Sequence, residues 1–325
     1  MKFASLNHGR DGQLILVSKD HAFATYINDL APNLQFALDN WSLLENDLQH
    51  QYKLLNMGKI PQCFKFDPTQ CHSPLPRAFQ WADGSAYVNH IELVRKARGA
   101  DMPPSFWRDP LVYQGMSDGF LPPHADIPLL NEAWGLDFEA EVAVITDDVP
   151  LGTPACDAEQ HIKLFMLVND ISLRNLIPTE LAKGFGFFQS KPASAFSPIA
   201  VTPDELGTSW HDGKLHLELE VYLNQQLFGH PNAGKDMTFS FFDLLAHCAK
   251  TRALGAGTII GSGTVSNVSA NVGSCCLAEQ RMLEKLNDGD IRTPFLGHGD
   301  HVRITMHDDQ GMPIFGEINQ TVIQQ

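Results

Sequence analysis

Residues 136–145 read Leu-Asp-Phe-Glu-Ala-Glu-Val-Ala-Val-Ile. In an extended chain successive side chains point to opposite faces. Glu139 and Glu141 therefore share one face with Ala143 and Ile145, while Phe138, Val142 and Val144 line the other. Both faces turn apolar, so the segment reads as a strand covered on both sides. Two neighbouring carboxylates in such a strand lose hydration and repel each other, and they must either take up a proton or hold a cation. The chain carries its own control at Leu215–Leu223, which also contains Glu-x-Glu. There Leu215, Leu217, Leu219, Val221 and Leu223 alternate with His216, Glu218, Glu220 and Tyr222, the pattern of a strand with one face in water.

Further strands are predicted at Gln13–Ser18, Ala22–Ile27, Leu164–Ser172, Thr258–Ile260 and Val302–His307. Helical spacing of Leu34, Ala37, Leu38, Trp41, Leu44, Leu48 and Leu54 predicts a helix from Leu34 to about Asn56. A second is predicted over Phe241–Leu254, ending at Gly255. A Pro- and Cys-rich stretch over Pro61–Pro76 reads as a linker, so a small accessory domain is expected over 1–76 and a catalytic-sized body over 77–325. Strands outnumber helices without βαβ alternation, which predicts a β-rich α+β body and not a doubly wound sheet.

The formal net charge of −15 argues against nucleic acid and anionic membrane surfaces as partners. No run has the length of a membrane span and no secretory leader is visible, so the cytoplasm is the expected compartment. The six cysteines lack Cys-x-x-Cys spacing and read as reduced thiols.

Other segments could join the acidic strand in chemistry. Asp170 interrupts the apolar run Leu164–Ser172, either as a turn residue or as a third ligand. Carboxylate oxygens suit a hard cation such as Mg²⁺, Ca²⁺ or Mn²⁺. Asp83 is a candidate fourth ligand, and His90 a candidate base whose unperturbed pKa lies near neutrality, although one histidine among fourteen is more often an ordinary one. Arg174 and Lys191 could stabilise an oxyanion or serve as surface charge. Gly115–Gly119 matches the Gly-x-Ser-x-Gly serine elbow around Ser117, but Pro122-Pro123 follows where that motif needs a helix. The glycine-rich run 255–263 leaves a helix and enters a strand, the reverse of a dinucleotide loop. His298, His301 and His307 follow no metal-ligand spacing and read as structural.

Taken in order, DFEAEVAV (137–144), VNDISLRN (168–175), QSKPASAFSP (189–198) and GSGTVSN (261–267) resemble four motifs of the fumarylacetoacetate hydrolase family. The resemblance runs from about Arg77 to the C-terminus, and the segment before it is similar to the small domain of bacterial members. It implies the family's mixed β-sandwich or roll, with a small α/β domain in front. It implies Asp83, Glu139, Glu141 and Asp170 as ligands of Mg or Ca (Mn also admitted), His90 as the base that activates water, and Glu279 as the group orienting it. Arg174 and Lys191 would stabilise the oxyanion and leaving enolate, and Tyr113 and Thr264 would contact substrate. The family's fumarylacetoacetases carry Gln three residues after the Arg, where this chain has Ile177, and Gln189 is the candidate substitute. They also carry Tyr at the position of Ser85.

The implied reaction is hydrolysis of a carbon–carbon bond in a small-molecule β-diketo acid, fumarylacetoacetate giving fumarate and acetoacetate in tyrosine breakdown, by a homodimer. Two alternatives stand beside it: hydratase, decarboxylase or isomerase chemistry on 2-oxo acids, and a non-catalytic metal- or ligand-binding protein.

Overall fold

A computed structural model of the chain describes residues 1–97 and 102–325. Its largest sheet has twelve strands, and Ala140–Thr146 lies inside it, antiparallel to both Ile162–Asn169 and Ile259–Gly261. All seven residues of that strand are buried. Val142 and Val144 pack with Phe165, Phe241 and Leu244 on one side, and Ala143 and Ile145 pack with Trp81, Met166 and Phe196 on the other. Burying each such Val or Ile contributes about 1.5–3 kcal/mol, enough to hold a strand that also carries carboxylates. Beyond it, Trp81–Gly84 runs parallel to Ile259–Gly261, and Val112–Gln114 pairs with its free side. A second, five-stranded sheet contains Leu219–Leu223 between Gln226–Gly229 and His301–His307, then Pro313–Gln324 and Ile127–Leu129. The alternation expected over Leu215–Leu223 holds as far as Val221: Leu215, Leu217, Leu219 and Val221 are buried and Glu218 is exposed, while Leu223 is half-buried and the single strand expected there is two, Lys214–Leu215 and Leu219–Leu223.

The first strand, Lys2–Leu6, pairs with Gln13–Val17 on one side and with Ile199–Val201 on the other, so one sheet runs from the N-terminal segment into the body. The single helix expected over 34–56 is two helices, Leu34–Asp39 and Trp41–Asn56. Asn40 leaves helical geometry (φ −121°, ψ 23°) while its side-chain amide donates to the Phe36 carbonyl, a local bond that competes with continuing the helix. Within the expected linker, Phe64–Lys65 and Cys71–His72 each pair with a strand of the large sheet. The helix from Phe241 stops at Cys248, short of Leu254. Leu254 instead bridges Val149, exchanging backbone hydrogen bonds at 3.0 and 2.8 Å, and the chain must unwind to reach it.

Two further helices, Val88–Ala97 and Leu277–Asp288, were not expected from the sequence and pack against each other. They carry His90 and Glu279. Among the described residues no helix is long and apolar enough to cross a membrane, and the six cysteines are unbridged.

Candidate active site

The sheet brings together three carboxylates that are far apart in sequence. Asp83 sits on Trp81–Gly84, Glu141 on Ala140–Thr146, and Asp170 directly after Ile162–Asn169, where its N–H donates to the Glu139 carbonyl at 2.9 Å. One oxygen of each lies within 4.8 Å of the others. Glu141 and Asp170 are fully buried and Asp83 nearly so. Asp83 Oδ1 accepts from Gly263 N at 3.1 Å, and Asp170 Oδ1 from Ser194 Oγ at 2.8 Å. Neither oxygen of Glu141 has a hydrogen-bond partner. Its neighbour in kind, Asp83, is an acceptor too, so the two can share only a proton or a cation. Burial, followed by the charge of Asp170, pushes the Asp83 carboxyl well above the ordinary carboxylate range, and burial followed by the charge of Asp83 does the same for Glu141. An orphaned carboxylate in an oxygen-only cluster fits a hard divalent cation.

Glu139 stands beside this trio but takes different partners. Its Oε1 accepts from Lys191 Nζ at 2.7 Å and Ser172 Oγ at 2.6 Å, its Oε2 accepts from the Thr264 hydroxyl, and Arg174 Nη2 lies 3.2 Å away. Burial opposes its charge, but Arg174 and Lys191 outweigh that and hold it below the usual range. Lys191 is itself buried and also donates to Asp170. Burial works against its ammonium charge, yet Asp170 and Glu139 prevail and raise its pKa. The Tyr113 hydroxyl donates to Asp170 Oδ2 at 2.6 Å, and the Phe187 ring meets the Tyr113 ring edge-on at 5.3 Å.

These groups border a cavity of about 160 Å³ whose wall includes Asp83, His90, Tyr113, Glu139, Arg174, Lys191 and Thr264. His90 Nδ1 meets Glu279 Oε2 at 2.5 Å, and Glu279 is 2% exposed. With Nδ1 taken by the carboxylate, proton exchange with anything in the cavity falls to Nε2. A larger cavity of about 450 Å³, walled by Leu121, Ile127, Trp134, Leu173 and Pro192 among others, has no ionisable side chain on its lining.

Of the sequence-predicted residues, Asp83, His90, Tyr113, Glu139, Glu141, Thr264, Asp170, Arg174, Lys191 and Glu279 converge here. Gln189 does not. Its backbone N–H is held by Glu180 Oε1 at 2.7 Å, alongside the N–H groups of Phe188 and Ser190, and its side chain is exposed. Ile177 lines the small cavity in its place. Sequence reasoning overlooked Asp137, Ser172 and Ser194. Asp137 carried a usable signal, being two residues before Glu139 and hence on its face, and Ser172 and Ser194 lie within the quoted motifs 168–175 and 189–198. The loop after Gly115 contains no helix, so Ser117 lacks the elbow's geometry. His298, His301 and His307 bond to Leu129 O, Asn319 and Glu220, outside this cluster.

Gly263 has φ +74°, and a Cβ there would stand 2.3 Å from the Gly84 carbonyl oxygen. Gly263→Ala is expected to cost about 1–3 kcal/mol in thermal unfolding and to weaken divalent-ion binding, because relief of the clash moves the N–H away from Asp83. Unchanged melting and titration curves would contradict that.

The family description Fumarylacetoacetate (FAA) hydrolase C-terminal matches residues 80–323, and Fumarylacetoacetase N-terminal domain 2 matches residues 1–77. The chain belongs to the fumarylacetoacetate hydrolase family. Among curated members, oxaloacetate tautomerase YisK of Bacillus subtilis is 26% identical over 230 residues, covering 67% of this chain and 71% of the relative. The mitochondrial oxaloacetate tautomerase FAHD2B of Homo sapiens is 22% identical over 188 residues, covering 57% and 55%. Solved structures share the fold over the whole chain. Maleylpyruvate hydrolase from Sphingobium sp. SYK-6, crystallised with manganese(II) and pyruvate, superposes with a TM-score of 0.65 at 16% identity, covering 100% of this chain and 99% of that one. An HpcE-type protein from Mycobacterium smegmatis gives 0.69 at 18% identity with the same coverage. The strand-rich mixed α+β architecture is thus that of the family.

Proposed function

We propose that this family member is a divalent-metal-dependent enzyme acting on a short 2-oxo acid with a β-dicarbonyl arrangement, and that it cleaves the carbon–carbon bond between the carbonyls by hydrolysis. The observation that carries the reading is that His90, bonded to Glu279, shares a cavity wall with Asp83, one of three clustered carboxylates of which Glu141 has no hydrogen-bond partner. Asp83, Glu141 and Asp170, with Glu139 alongside, would hold the ion. A bound divalent ion supplies Lewis-acid polarisation of the substrate's oxygens. His90 Nε2 takes a proton from water, and Glu279 holds the ring and stabilises the imidazolium that results. Hydroxide attacks the distal carbonyl, and the carbon–carbon bond breaks with its electrons leaving as an enolate. Lys191 and Arg174, held in a buried and pre-oriented array, stabilise that negative charge as it develops. His90 then returns its proton to the enolate carbon.

Fumarylacetoacetate is the first substrate to test. A second reading is keto–enol tautomerisation of a compact oxo acid such as oxaloacetate, with His90 moving the proton at C3. The apolar Ile177 on the cavity wall favours it, and two curated relatives carry that activity in their names. The deciding experiment strips the protein with chelator, reloads it with Mg²⁺, Mn²⁺ or Ca²⁺, and follows diketone absorbance, enol absorbance and products for acylpyruvates, fumarylacetoacetate and oxaloacetate. Metal-restored turnover of at least one is expected. No turnover of any, or turnover indifferent to chelator, overturns the proposal.

A further inference from the structure

Asp137 lies outside the cavity wall and yet touches both halves of the machinery around it. It is fully buried and sits on a two-residue strand, Leu136–Asp137, paired with Ser172–Leu173. Its Oδ2 accepts from Arg174 Nε at 2.8 Å and from Ala278 N at 2.9 Å, and its Oδ1 accepts from Leu277 N at 2.7 Å. Leu277 and Ala278 open the helix Leu277–Asp288, whose third residue is Glu279, the partner of His90. The other end of the guanidinium reaches Glu139 at 3.2 Å. One carboxylate therefore holds a cation of the cavity wall and seats the first turn of the helix that bears the partner of His90.

We propose that Asp137 is a positioning residue that locks Arg174 and the Glu279–His90 pair into one register, so that enolate stabilisation and proton transfer are set by a single side chain. The argument is geometric. The Nε bond to Asp137 fixes the plane of the guanidinium and sets Nη2 3.2 Å from Glu139, with Arg174 on the cavity wall. The same two oxygens satisfy two of the N–H groups that a helix start leaves without an intrahelical partner, which fixes where Glu279 begins. Three donors converge on two oxygens, so an amide cannot replace the carboxylate. Asn turns its NH₂ toward one of the three N–H groups and repels it.

The inference rests on the proposed function for the meaning of turnover, so its test also uses oxalate, an inert planar dicarboxylate, with the Mn²⁺-loaded protein. In calorimetry, Asp137→Asn is expected to weaken oxalate about tenfold, the worth of one charge-assisted contact. In an Arg174→Met background the same change is expected to have less than a twofold effect, since Asp137 then has no guanidinium to hold. With a turned-over substrate, Asp137→Asn lowers kcat about 10²-fold, again sub-additively with Glu279→Gln. Mn²⁺ stabilisation persists, because the trio is untouched. Full additivity with Arg174→Met, or wild-type oxalate affinity in Asp137→Asn, overturns the inference. Should that variant fail to fold, Asp137→Ser carries the same cycle. Absence of turnover in the wild type would sink the proposed function and leave the oxalate cycle to decide this point separately.

Discussion

Glu141→Gln removes the stabilisation by Mn²⁺ and leaves the melting temperature of the metal-free protein nearly where it was. The wild-type side chain is fully buried, and no N–H or O–H of another residue reaches its oxygens. Without an ion, burial and the charge of Asp83 favour its protonated form, which shares that proton with Asp83. The amide has the same shape, and its NH₂ donates to the Asp83 carboxylate in the proton's place. In the metal-free protein a change of less than about 1 kcal/mol, or about 2 °C, is expected. In the loaded protein the two part. Mn²⁺ at a hundredfold excess over its dissociation constant stabilises the wild type by about 2.7 kcal/mol, and the variant forgoes that. Turnover falls about 10³-fold or more, the equivalent of the several kcal/mol supplied by a polarising ion. Paired thermal scans with chelator and with Mn²⁺ check both expectations. A variant that Mn²⁺ stabilises as much as the wild type would show that the trio shares protons only and holds no ion.

The second large effect separates chemistry from ion binding. His90→Asn lowers kcat by about 10²–10⁴-fold, the usual worth of a general base. It leaves Mn²⁺ stabilisation as in the wild type, since the imidazole bonds to Glu279 and not to the acidic trio. Glu279→Gln gives a smaller loss, because the ring remains but its orientation and the stabilisation of imidazolium are reduced. Steady-state kinetics beside thermal scans test this. Equal loss of metal stabilisation and of turnover in His90→Asn would turn the histidine into a ligand. An unaltered kcat would point to a binding protein or to another base.

How far the sequence reaches is clearest in particular segments. The period-two patterns over residues 137–145 and 215–223 are local, and the folded chain keeps their burial: Ala140–Thr146 is buried on both faces, and Leu215, Leu217, Leu219 and Val221 are buried, although each range is divided between two strands. The break at Asn40 was hidden because Leu, Ala and Trp keep helical spacing straight through it, while the bond that stops the helix is made by a side chain. The helices bearing His90 and Glu279 were hidden for another reason. They are short, ten and twelve residues, and rich in polar side chains, so neither offers the long run of leucines that marks Trp41–Asn56. The setting of Gln189 is also tertiary: the Glu180 carboxylate gathers the N–H groups of Phe188, Gln189 and Ser190, and their loop borders a further, larger cavity that reaches Tyr113 and Lys191.

By itself the amino-acid order determined that a carboxylate pair would be buried in a strand, that the body would be β-rich, and which residue types were available for oxygen ligation. Burial periodicity depends only on near neighbours along the chain, so it can be read there. Tertiary structure alone decided which acids meet. It set Glu141 beside Asp83 with no donor, gave Glu139 to Lys191 and Arg174, and joined His90 to a carboxylate 189 residues away. Those pairings depend on sheet register and helix placement, and angstrom-scale differences in them separate an ion pair from a metal site.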